Sequence, residues 1–178
     1  MSDTPDVLSK VQGQMSLPEK IAAFVPGFRG YKEKELRRES DRLIRNHLYL
    51  KLSLEKTDLR EIEQKLADRR YFDVLTDMDR LLAKMDRVVE KVNHASYGYS
   101  GFFDAVKVKE ENLDSMITFD DKLIDGINAL TTEIDAFKAD LASGATANLK
   151  TRVQNVTDKL ESLENTFDQR NEVMIGMS

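Results

Sequence analysis

The sequence predicts an all-α protein: an antiparallel helical bundle of long, coiled-coil-like hairpins, preceded by a short N-terminal helix. Three observations predict it. Between Gly30 and Gly98 there is neither glycine nor proline, so no turn chemistry for a sheet. Apolar residues recur at alternating intervals of three and four along most of the chain, as they do in helices that bury one stripe. Charged residues make up 33% of the 178 residues and only three are proline, which suits amphipathic helices with solvated outer faces.

Residues 1–15 are polar and without period, and read as a flexible leader. "SLPEKIAAFVPGF" follows as a short helix. Ser16 is its expected N-cap, Pro18 falls in the first turn where a missing N–H costs nothing, and Pro26-Gly27 ends it. Leu17, Ile21, Phe24, Val25 and Phe28 are expected on one face. The first long segment, about 31–67, is read with a seam of Leu36, Ser40, Leu43, His47, Leu50 and Leu54, spaced 4, 3, 4, 3 and 4. Beyond it the frame changes. Thr57, Glu61, Gln64 and Asp68 occupy the seam while Leu59, Ile62 and Leu66 sit one step off. Such a shift marks a stutter or a turn, and a turn near Asp68–Arg70 is the reading adopted.

The second segment, 71–95, carries Tyr71, Leu75, Met78, Leu82, Met85, Val89 and Val92. The third, 107–142, carries Leu113, Met116, Asp120, Leu123, Ile127, Leu130, Ile134, Phe137 and Leu141. "ASGAT" then breaks the pattern, and Leu149, Val153, Val156, Leu160, Leu163 and Phe167 resume it over 147–173. The expected organisation is a bundle domain over 16–142 and a C-terminal helix within 143–178. That last helix has polar faces rich in Thr, Asn and Gln, and packs on the bundle or on another subunit.

The inventory for chemistry is thin. With no cysteine there is no disulfide, thiol nucleophile or thiolate metal site. His47 on the first seam reads as a partly buried, hydrogen-bonded core residue, and His94 as a helix C-cap one turn from Glu90. No Glu-x-x-His pair, phosphate loop or nucleophile elbow is present. Asp77/Asp79, Glu110/Glu111 and Asp120/Asp121 are acid pairs on paper, but neighbouring helical residues point to different faces. Asp120 alone falls on a seam, where a polar residue more often sets register than moves protons. No catalytic residue, metal or cofactor is expected.

Two stretches are candidate interaction sites. In "RGYKEKELRRESDRLIR" the cations Arg29, Lys32, Lys34, Arg37, Arg38, Arg42 and Arg45 outnumber the acids seven to four. The acidic 107–142 segment complements them, so pairing within the protein or between subunits competes with binding to membrane phosphates or nucleic acid. "HASYGYSGFFDAVKV" at 94–108 gathers Tyr97, Tyr99, Phe102 and Phe103 around two glycines. It reads as a plug over the open end of the core, with Gly98 and Gly101 supplying positive φ or allowing close backbone approach and Val106 and Val108 continuing the stripe. A stacking or ligand site with His94, Tyr97 and Tyr99 is the alternative.

"FVPGFRGYKEKELRRESDRLIRNHL" (24–48) and "ASYGYSGFFDAVKVKEENLD" (95–114) resemble the two hallmark segments of an uncharacterised prokaryotic family of small helical proteins. The resemblance implies a helical fold with a turn near 68–71. It implies no activity, cofactor or partner.

The N-terminus lacks a basic region followed by an apolar core, and no apolar run approaches the roughly 18 residues that span a bilayer. The net charge of −5 mixes 27 basic with 32 acidic residues, which does not favour nucleic acid as a partner. The expectation is a cytoplasmic, non-enzymatic interaction or assembly protein that self-associates or binds a protein partner. The alternative is an anionic-surface binder, peripheral on a membrane, using helix 17–28 and the basic run 29–45.

Overall fold

The computed structural model describes residues 15–95 and 99–176. The expected leader, all but Met15, and Ser96, Tyr97 and Gly98 of the aromatic stretch lie outside them. The described residues form six helices and no strand: α1 (Leu17–Phe24), α2 (Lys34–Asp68), α3 (Phe72–His94), α4 (Ser100–Asp104), α5 (Glu110–Ser143) and α6 (Leu149–Ile175).

In α1 the Glu19 carboxylate accepts hydrogen bonds from both the backbone N–H and the hydroxyl of Ser16, each at 2.8 Å. Ile21, Val25 and Phe28 are buried and the helix lies on α5, where Lys20 meets Asp121 at 2.8 Å. Leu17 and Phe24, expected on the same face, remain exposed. Eight residues give only two turns, and the chain leaves helical geometry after Phe24, so the expected face is not continuous.

Helix α2 corrects the first seam. Its buried positions are Arg37, Asp41, Ile44, Leu48, Leu52, Glu55, Leu59, Ile62 and Leu66, one continuous stripe with a stutter of two successive four-residue steps across Ile44, Leu48 and Leu52, and with Ser40 buried beside it. Leu36, Leu43 and His47 are only partly covered, while Leu50 and Leu54 are 61% and 63% exposed. The true frame contains Arg37, Asp41 and Glu55, so a search for apolar side chains followed the neighbouring leucines instead. The frame does not slip at Leu59, and the helix runs about 52 Å without a break.

The turn falls at 69–71. The Tyr71 N–H reaches back to the Leu66 carbonyl at 2.9 Å and the Arg70 N–H to that of Ala67 at 3.0 Å, with Arg70 at φ 63°. This is a Schellman-type stop in which arginine occupies the left-handed position usually given to glycine. Helix α3 buries Val74, Met78, Leu81, Met85, Val88, Val89 and Val92, with Leu75 and Leu82 partly covered. That stripe is wide because it faces both α2 and α6. In α5 all nine expected seam residues are buried, and in α6 all six. Gly144, at φ 77°, caps α5 in the left-handed region. Gly126 lets the two helices approach: a Cβ there would lie 2.9 Å from Leu163 Cδ1.

Two antiparallel hairpins result, α2–α3 and α5–α6, packed side by side with α2 along α5 and α3 along α6. Across the hairpins neighbours run in the same direction. Glu55 meets Thr131 and Asp58 meets Lys138, and the Arg69 guanidinium donates to the Leu141 carbonyl. Likewise Asp73, Lys84 and Lys91 face Lys150, Glu161 and Glu164 in rising order. The link from α3 to α5 therefore crosses the base of the bundle diagonally, and α4 sits in that link.

Candidate functional site

At the base, four elements deliver polar side chains to one buried point. The segment after α1 brings Tyr31, α2 brings Asp41, α5 brings Asp120 and α6 brings Arg170; each is at most 1% exposed. Arg170 donates through Nε to Asp120 Oδ1 at 2.6 Å, through Nη1 to Asp41 Oδ1 at 2.9 Å, and through Nη2 to the Tyr31 hydroxyl at 2.9 Å. The Tyr31 hydroxyl donates in turn to Asp120 Oδ2 at 2.5 Å. Arg45, largely covered, closes the set by donating to Asp41 Oδ2 at 2.9 Å. Two guanidinium and two carboxylate charges balance, which is the condition for burying them.

Burial disfavours the Arg170 charge, but the surrounding Asp120, Tyr31 and Asp41 outweigh it and hold its pKa well above the usual value. Burial pushes the Asp120 carboxyl up, against the pull of Arg170 and the Tyr31 hydrogen bond. Burial and the Asp120 charge push the Tyr31 hydroxyl up as well, keeping it a neutral donor.

Around this point the chain is tied down by a second arginine. Buried Arg37 donates to the backbone carbonyls of Tyr31 at 2.9 Å, Phe102 at 3.1 Å and Ala105 at 2.8 Å. Ser40 donates to the Gly30 carbonyl at 2.7 Å. Edge-to-face contacts run from Phe28 to Tyr31 and on to Phe102, with centroids 5.7 and 5.6 Å apart. Phe103 continues the cluster to Tyr99, and the Arg38 guanidinium lies 4.7 Å over the Phe103 ring. The Tyr99 hydroxyl is buried without a hydrogen-bond partner among the described residues, and burial pushes its pKa up to about 12.

The interaction candidates separate. Arg37 and Arg45 are inside the structure, Arg38 pairs with Asp104 at 3.0 Å, and Arg42 pairs with Glu39 at 2.7 Å. Among the described residues Lys32 alone of these cations pairs with the acidic 107–142 segment, 3.4 Å from Glu110, so the expected pairing within the chain comes to one exposed contact there. Arg29 is exposed and has no side-chain partner among the described residues. Tyr99, Phe102 and Phe103 are buried over the end of the core, and Tyr97 lies outside the described residues. Gly101 is inside α4 and does not supply a positive φ, and Val106 is 80% exposed and does not continue the stripe. Five residues of α4 place both phenylalanines inward and direct the chain outward after Ala105.

His47 is half-buried, makes no side-chain hydrogen bond among the described residues, and has its pKa lowered by burial and by Lys51. His94 ends α3 with Nε2 3.1 Å from Glu90, both exposed. Among the described residues no group of three or more acids and histidines could hold a metal ion, and no helix is long and apolar enough to cross a membrane. A groove of about 570 Å³ lies outside Tyr31, lined by Leu17, Pro18, Leu113 and Ile117 with Arg29 and Lys32 at its rim.

Sequence reasoning found Asp120 but not its partners. Extending the last seam beyond Phe167 by steps of three and four reaches Arg170 and Met174, so a cation on a seam opposite an acid on a seam was the available signal. No family model, curated protein or solved structure matches the chain, so function has to be read from its geometry.

Proposed function

We propose that the protein is a non-enzymatic helical-bundle module for interaction and assembly, with the outer face of α2 as its working surface. The observation that carries this is the row Leu43, His47, Leu50 and Leu54, spaced 4, 3 and 4. Its last two leucines are exposed, and they are one helical turn apart. Single exposed leucines are ordinary. A row at coiled-coil spacing, running beside a buried stripe on the same helix, has the pattern of a helix with a further neighbour beyond α3 and α5.

The buried polar set at the base supports the non-enzymatic side of the reading. Its charges already engage one another and close-packed aromatics surround them. A membrane-surface reading would call on the apolar face expected over 17–28, of which Ile21, Val25 and Phe28 are buried within the fold and Leu17 and Phe24 are left exposed.

Photo-crosslinking in the protein's own cell tests the proposal. A benzophenone amino acid in place of Leu54 should give a covalent protein adduct, and the same group in place of exposed Lys159 on α6 should not. Equal yields at both positions, or no adduct at 54, would remove the outer face of α2 as the working surface.

A further inference from the structure

We draw no further inference here: the strongest candidate, the apolar groove of about 570 Å³ outside Tyr31 between the start of α1 and the first turns of α5, carries both signs of charge at its rim, Arg29 and Lys32 beside Glu33 and Asp114, and nothing in the structure shows what fills it.

Discussion

Arg170 is the residue whose loss the structure tolerates least. Its removal leaves the Asp41 and Asp120 carboxylates buried beside each other with Arg45 as the remaining cation. Arg170→Met is expected to cost about 3–5 kcal/mol in denaturant unfolding. Adding Asp41→Asn and Asp120→Asn should recover much of that loss, since the penalty lies in uncompensated charge. A loss under about 1 kcal/mol for the single variant would show that the set does not hold the base together. Glu55 gives a pH signature. Burial raises its pKa, Thr131 holds one carboxylate oxygen at 2.6 Å, and the other is buried without a hydrogen-bond partner among the described residues. Asp58 and Asp135 repel its charge while Lys138 attracts it. A raised folded pKa means the folded protein holds the proton longer, so stability from this group is greatest below the unfolded carboxyl value and is lost as pH rises through the folded one. Glu55→Gln should therefore stabilise the protein by about 1 kcal/mol near pH 7 and add nothing near pH 4. Thermal melts at the two pH values decide it, and an equal effect at both would refute the assignment.

At the scale of elements, what could be read depended on whether the buried frame was apolar. The expected seams of α5 and α6 contain Leu, Ile, Val, Met and Phe apart from Asp120, every expected position is buried, and Arg170 lies on the α6 seam just beyond the expected positions. The α2 frame contains Arg37, Asp41 and Glu55, and an apolar search settled on Leu50 and Leu54 outside it. The helix boundaries followed from local chemistry. Capping by Ser16 and Glu19 and the glycine stop at 144 act within one turn, so the sequence displays them. Gly144→Ala tests the second of these. Nothing crowds a Cβ at that position, so the cost is the left-handed backbone alone, about 1 kcal/mol by thermal unfolding. A neutral outcome would mean that the α5–α6 link accommodates another geometry.

For the whole molecule, the arrangement of the hairpins is held by buried side chains more than by the ion pairs that mark it. Lys84–Glu161, Lys91–Glu164 and Lys150–Asp73 line the α3–α6 contact, all at least partly solvated. Pairs of this kind contribute roughly 0–1 kcal/mol each. Raising salt to about 1 M, where screening acts within about 3 Å, should lower the unfolding free energy by no more than about 2 kcal/mol. A larger fall would mean that surface charge holds the hairpins side by side. The sequence by itself determined the helical class, the long segments and a turn near Asp68–Arg70, while the structure moved the buried frame of α2 off the expected row. Class, segments and turn depend on spacing and on contacts within a few residues. Tertiary structure alone decided that α2 lies along α5, that the link crosses the base, and that Tyr31, Asp41, Asp120 and Arg170 meet there. Those four lie as far as 139 residues apart in the chain, and a charge becomes a core residue only when its counter-charges arrive from other helices.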